Sequence, residues 1–179
     1  KNQVNPHFLF NTFNTLISVI EDDKESAVEF VQQLSKVYRY VLHTQGKNLV
    51  CLEEELTFLN SFTYLLKQRY GENLQILINI PDGLKESYIP PLTLQLLLEN
   101  AVKHNIITSK RALLIDIYSD DDKFIIIRNV LQKKTSSSES TGIGLENIKE
   151  RYKHASGKEI VIEETINYFT VKLPILEKK

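Results

Sequence analysis

The sequence predicts an α+β protein: an N-terminal helical hairpin followed by an α/β sandwich. Three observations carry that expectation. Apolar residues recur at alternating spacings of four and three through Ala27, Val31, Leu34, Tyr38 and Val41, and again through Leu52, Leu56, Leu59, Thr63 and Leu66. This is the 3.5-residue repeat of helices that pack side by side. After Gly71 the chain changes to short isoleucine- and leucine-rich runs bounded by turn residues, alternating with helix-length segments. Finally, both helices carry apolar residues beside the main stripe, Phe30 and Val37 on the first and Phe58, Phe62 and Leu65 on the second. Stripes this wide need a further partner, so the expected arrangement is a homodimer joined as a four-helix bundle. Packing of the hairpin on the rest of its own chain is the competing arrangement. The boundary is expected at the glycine, with 1–71 as the dimerisation hairpin and 72–179 as the sandwich.

The first helix is expected from Asn5 to about Leu42. Asn5 is a good helix-starting residue, and Pro6 is tolerated in a first turn because its missing N–H has no helical partner there. The polar patch Glu21-Asp22-Asp23-Lys24-Glu25 bends or breaks this helix. His43 to Val50, with Gly46, reads as a turn. Leu52 to Tyr70 is the second helix, with Glu53, Glu54 and Glu55 where the helix dipole favours negative charge and Gly71 as its stop. Leu74 to Ile80 reads as a strand and Pro81-Asp82-Gly83 as a turn. Leu92 to His104 follows Pro90-Pro91 as a helix. Leu113 to Tyr118 and Lys123 to Asn129 form a hairpin across Ser119-Asp120-Asp121-Asp122. Val130 to Thr141 is a polar loop, Leu145 to His154 a helix, and Glu159 to Glu164 with Tyr168 to Pro174 a last hairpin. One mixed sheet with helices on one face is the architecture these elements make.

Composition narrows the function. The 179 residues are 42% hydrophobic and 25% charged, ordinary values for a folded protein. The formal net charge of −1 gives no nucleic-acid footprint and no polybasic membrane patch, so direct nucleic-acid binding is not expected. A single cysteine, Cys51, excludes an intrachain disulfide and reads as a small buried apolar residue. No apolar run has the length of a membrane span. With no methionine and a key motif within a few residues of its start, the sequence is read as a fragment of a longer protein, which is expected to carry any membrane anchor and sensor region.

Three strings carry chemistry. In Asn5-Pro6-His7-Phe8-Leu9-Phe10-Asn11, His7 lies in the first turns of a helix, with Asn11 one turn on and on the same face. A lone histidine in an apolar run is ordinarily a core residue. The whole string, however, closely resembles the phosphoacceptor motif of the LytS-type sensor histidine kinases. In Glu99-Asn100-Ala101-Val102-Lys103-His104, the residues Asn100, Lys103 and His104 fall at i, i+3 and i+4 on one polar face. An amide oxygen can hold magnesium, and a lysine and a histidine beside it can meet phosphate oxygens. This string looks like the N-box of the GHKL ATPases. In Thr141-Gly142-Ile143-Gly144-Leu145-Glu146-Asn147-Ile148, two glycines precede a helix whose N-terminus offers free N–H groups to an anion. Extended to Arg151-Tyr152, it looks like the G-box of LytS-type kinases.

The resemblance implies a sandwich of the GHKL type and an ATP-dependent kinase that phosphorylates itself on His7 and passes the phosphoryl group to an aspartate of a response regulator. It implies Mg²⁺ on Asn100, phosphates near Lys103 and His104, and nucleotide contacts from Gly142, Gly144 and Leu145. It suggests a LytTR-type regulator as partner, and a cytoplasmic domain of an inner-membrane bacterial sensor. Asn11 would orient the imidazole ring or a water. Lys133 and Lys134 could neutralise phosphate, and a solvated loop explains them equally well. The chain departs from the family pattern at the strand end, where Asp-Asn-Gly is usual. Here Asn129 stands in the place of the adenine-binding aspartate and Leu131 in that of the glycine. Nucleotide affinity is therefore expected to be weaker, by ~1–2 kcal/mol for the lost charge. The departure also raises an alternative, a pseudokinase acting as a dimeric signalling scaffold.

Overall fold

The structure, a computed structural model, describes residues 6–120, 123–134 and 143–177, with the backbone alone for Pro6, His7 and Ile143. Asn5, Asp121, Asp122, Thr141 and Gly142, and most of the polar loop, lie outside the described residues.

Three helices open the chain: α1 (Pro6–Asp22), α2 (Lys24–His43) and α3 (Leu52–Tyr70). The helix expected up to Leu42 is thus broken within the polar patch where a bend or break is expected, at Asp23. Its extended backbone (φ −158°, ψ 122°) stops α1, and its carboxylate accepts from the N–H groups of Glu25 and Ser26 to start α2. Such a cap contributes roughly 1 kcal/mol. The break reverses the chain. The Phe8 ring lies 5.2 Å from that of Phe62 on α3, and Phe62 neighbours Phe58, which stacks on Tyr40 of α2. A straight helix would hold Phe8 about 48 Å from Tyr40 at 1.5 Å per residue. α1 therefore runs back alongside α2, and these two form the N-terminal hairpin.

The buried stripe of α2 is Ala27, Phe30, Leu34, Val37 and Val41. Val31, placed in the main stripe from the sequence, is half exposed, and Phe30 and Val37, read as secondary, face the core. Both of the expected stripes of α3 are buried, Leu52, Leu56, Leu59 and Leu66 on one side and Phe58, Phe62 and Leu65 on the other. Its width is covered within the chain, because α3 is wedged between α1–α2 and the sandwich.

The sandwich contains β1 (Val50–Cys51), β2 (Leu74–Asn79), β3 (Tyr88–Ile89), α4 (Thr93–His104), β4 (Leu113–Asp120), β5 (Phe124–Val130), α5 (Ile143–Ser156), β6 (Val161–Glu164) and β7 (Tyr168–Pro174). The main sheet has the order β2-β4-β5-β7-β6, with β2 parallel to β4 and every other pair antiparallel. The parallel pair requires a crossover, and α4 supplies it. Alternation along β4 sends Leu113, Ile115 and Ile117 into the core and Leu114, Asp116 and Tyr118 to the other face. That outer face is polar, with Arg128 paired to Asp116 at 3.1 Å and lying over the rings of Tyr118 and Tyr168.

The boundary expected after Gly71 does not coincide with a break in packing. β1, just before α3, pairs with β3, and α3 contacts β2 and α4. One continuous core runs from Phe30 through Leu59 and Leu98 to Leu173. Two-residue strands such as β1 and β3 are too short to leave a periodic signal, so no local pattern points to this tie.

Candidate nucleotide site

α4 begins where Pro90 and Pro91 end the preceding extended segment, and its apolar side, Leu94, Leu97, Leu98, Ala101 and Val102, is buried. That fixes the rotation of the helix and aims its opposite side at the start of α5. A cavity of about 320 Å³ lies between them, floored by β5 and β7. Asn100, Lys103, His104, Asn129, Leu131, Gly144 and Leu145 all line it. The structure therefore brings together the described residues of two motifs that lie far apart in the sequence, with the strand-end residues that separate them. Gly142 lies outside the described residues.

Two observations fit a polyanion with a metal ion here. Among the described residues the buried Asn100 side-chain nitrogen has no hydrogen-bond partner, an unsatisfied group of the kind that a ligand completes. Next to it stands Gly144, in the first turn of α5. A β-carbon on Gly144 would lie 3.2 Å from both the Asn100 nitrogen and its oxygen. The glycine thus lets the helix N-terminus, with its free N–H groups, come down onto the amide. Among the described residues no group of three or more histidine, cysteine or acidic side chains could hold a metal alone. Magnesium is ordinarily held by one or two protein oxygens and the substrate's phosphates, which suits one amide oxygen.

The cations divide. Lys134 donates to the carbonyls of Lys103 (2.9 Å) and Val102 (3.3 Å), closing the C-terminus of α4. Lys133 pairs with Glu164 of β6. Both are thus already engaged within the fold. Burial, with Lys103 and Lys134 nearby, lowers the His104 pKa below its ordinary value, so the ring is neutral at pH 7 and gains a proton more readily when an anion arrives.

Asn129 is buried in β5, opposite Ile115 and Phe169. Its Nδ2 donates to the Val130 carbonyl at 2.9 Å, which leaves Oδ1 as the accepting end. Leu131 lines the cavity without filling it. Asn105 is a site residue that sequence reasoning missed. It is buried beyond α4, donates to Ala101 O (2.8 Å) and accepts from Gln132 N (2.6 Å), tying the helix end to the segment that leads into the polar loop. An asparagine directly after a helix was a usable signal. Phe169 and Glu164 also line the cavity, placed there only by strand register.

On α1, Asn11 is half-buried and its carbonyl accepts from Thr15. The side chain of His7 lies outside the described ones. Among the described residues, none of α1 lines the cavity. No helix among them is long and apolar enough to cross a membrane.

A mixed sheet covered by helices on one face, with an asparagine, a lysine and a histidine on one helix meeting a glycine at the start of another, defines a histidine kinase catalytic fold of the GHKL type. The likeness to solved structures agrees. The cytoplasmic segment of histidine kinase QseC matches with a TM-score of 0.52 at 17% identity, over 86% of this chain and 95% of that one. The catalytic domain of histidine kinase ThkA matches with a TM-score of 0.50 at 15% identity, over 70% of this chain and 93% of that one.

The family model described as "Histidine kinase" matches residues 1–74. Sensor protein LytS of Oceanobacillus iheyensis is 37% identical over 127 residues, 70% of this chain and 22% of its own length. Sensor histidine kinase BtsS of Escherichia coli is 42% identical over 102 residues, 57% of this chain and 18% of its own. Sensor histidine kinase/phosphatase LytS of Staphylococcus aureus is 28% identical over 177 residues, 90% of this chain and 30% of its own. Residues 1–74 thus match the histidine kinase family, and over most of its length the chain is similar to LytS-type sensor kinases. It spans less than a third of the length of these three relatives.

Proposed function

We propose that this chain is the kinase core of a two-component sensor, which phosphorylates itself on His7 and passes the phosphoryl group to an aspartate of a response regulator. The observation that carries the reading is the convergence of Asn100, His104 and Gly144 on one cavity, in a chain whose first helix carries a string that resembles the phosphoacceptor motif. The deciding experiment is phosphorylation from labelled ATP with and without His7. Relatives named as sensor kinases give the scaffold-only alternative no support.

In this reading Mg-ATP, when bound, supplies the phosphoryl group. Asn100 would hold the metal through its amide oxygen. Lys103, a His104 protonated on binding, and the first N–H groups of α5 would neutralise the phosphates, with Gly142 and Leu145 beside them. Asn129 Oδ1 would accept from the adenine amino group. A neutral imidazole already has a nucleophilic nitrogen, so His7 needs no strong base, and Asn11 would orient the ring or a water. Catalysis is then mainly positioning and charge neutralisation. Among the described residues none of α1 lines the cavity, so in this reading the hairpin moves against the sandwich, or a partner's hairpin reaches it.

We take α1–α2 as the dimerisation and phosphotransfer unit, with the nucleotide-binding unit starting at β1 rather than after Gly71. A regulator of the LytTR type is the suggested partner, and the inner-membrane sensor context is likewise the family's.

The dimer is supported by what α1 leaves uncovered. Phe10 (69% exposed), Phe13, Ile17 (57%) and Ile20 follow one another at spacings of three, four and three, and Val28 and Val31 of α2 are half exposed. A second copy of the same stripe would cover them, with the apolar 3.5-residue seam of a bundle. Ile17→Glu is expected to weaken dimerisation about tenfold or more, since removing one such side chain from an interface costs ~1.5–3 kcal/mol. Analytical ultracentrifugation measures this; a monomeric wild type at high concentration would refute the dimer.

Restoring the family's aspartate is expected to fail. In Asn129→Asp the carboxylate cannot donate to the Val130 carbonyl 2.9 Å away, and two buried acceptors face each other. The expected cost is ~1–3 kcal/mol of stability, with no gain in nucleotide affinity. Thermal unfolding and an ATP-analogue titration check both parts, and tighter binding at unchanged stability would overturn this account of Asn129.

A further inference from the structure

Glu55 is the one fully buried member of the Glu53-Glu54-Glu55 run on α3, with 0% exposure. Three donors converge on its carboxylate. The Tyr40 hydroxyl of α2 lies 2.6 Å from Oε2, the Leu92 N–H 3.0 Å from the same oxygen, and the Leu94 N–H 3.1 Å from Oε1. Leu92 stands at the N-cap of α4, in the left-handed region at φ 63°, and no side chain of its own caps the helix. The first N–H groups of a helix have no partner within it, and a negative charge there also meets the positive end of the helix dipole. α4 is thus capped by a carboxylate from another helix. α5 closes the other side: Arg151 donates to the Pro91 carbonyl at 3.0 Å, and its charge favours the ionised Glu55 against a burial that pushes the carboxyl above its ordinary range.

One side chain therefore joins α2, α3 and α4, and Arg151 ties α5 to the same end of α4. α4 carries Asn100, Lys103 and His104, and α5 begins with Gly144 against Asn100. From Leu92 to Asn100 the chain rises about 12 Å as stiff helix, so a tilt at the capped end reaches the cavity undiminished.

We propose that Glu55 is a positioning residue of the nucleotide site, and that Tyr40 makes its hold on α4 depend on how the α1–α2 hairpin is seated. The proposal rests on reading the cavity as that site. Tyr40 supplies one of the two donors on Oε2. When α2 shifts, that donor leaves, and a buried carboxylate short of a partner turns or draws in water, which loosens its bonds to Leu92 and Leu94. Any hairpin movement that brings His7 to the site is then linked to the alignment of Asn100.

Tyr40→Phe is a clean probe, because the ring stacked on Phe58 at 4.4 Å remains while the hydroxyl goes. Amide hydrogen exchange is measured without nucleotide on both proteins, and a fluorescent ATP analogue with magnesium is then titrated into each. Expected are exchange about fivefold faster over Leu92–Leu98 with β4 and β5 unchanged, and an analogue Kd about three- to fivefold higher, the equivalent of one hydrogen bond. Glu55→Gln, which keeps one accepting oxygen, is expected to show a larger rise in Kd; should it fail to fold, Tyr40→Phe decides alone. Equal exchange over Leu92–Leu98, acceleration spread over β4 and β5 as well, or faster exchange with unchanged affinity each overturns the proposal. Failure of the wild type to bind the analogue instead overturns the nucleotide reading itself.

Discussion

Incubation with γ-labelled ATP and magnesium is expected to label the protein, and His7→Ala is expected to abolish the label, a loss of about a hundredfold or more since the acceptor itself is gone. The bond should survive alkali and break in acid, as phosphorus on an imidazole nitrogen does and phosphate on a serine does not. The chain has four histidines, so the assignment needs controls. His43 lies with its Nε2 2.8 Å from the Lys47 ammonium, and His43→Ala should leave the label intact. His154, at the end of α5, should behave likewise. Label that persists in His7→Ala would remove the phosphoacceptor from the reading, though not the nucleotide cavity. Mixing His7→Ala with Asn100→Ala adds a geometric test. Each variant alone is silent, and recovered label means transfer across a dimer.

The elements of the C-terminal half were legible because each is short, strongly patterned and bounded by turn residues. Ile115 and Ile117 point inward in β4, as alternation requires. Leu94, Leu97, Leu98 and Ala101 fix the buried side of α4, which leaves Asn100, Lys103 and His104 on the other by geometry alone. The helical half was harder. Residues on both sides of Asp23 favour helix, so only its capping geometry shows that the chain reverses. On α2 two stripes, one containing Phe30 and the other Val31, are offset by a single residue, and a 3.5-residue repeat does not choose between them. Glu55 was hidden among three identical side chains, although its phase with Leu52 and Leu59 was a usable signal. β1, β3 and Phe169 owe their places to pairing between distant segments, which no local pattern encodes.

The close approach of Gly144 to Asn100 gives the second large effect. Gly144→Ala is expected to lower phosphorylation about a hundredfold, well beyond the small gain in helix propensity that alanine brings. The added carbon would lie 3.2 Å from both ends of the Asn100 amide, so either the amide rotates or the first turn of α5 lifts. Rotation takes the amide oxygen from the place where it would meet a metal, and lifting withdraws the N–H groups meant for phosphate. Asn100→Ala is expected to cost about as much, because it removes the oxygen that holds the metal in this reading. The two losses should not add. With the amide already removed, the alanine at 144 has nothing to displace, and the double variant should be no worse than Asn100→Ala alone. A double-mutant cycle measures that coupling directly. Additive losses would mean that Gly144 acts on the ligand without Asn100, and full activity in Gly144→Ala would mean that the contact between the two helices has no part in catalysis.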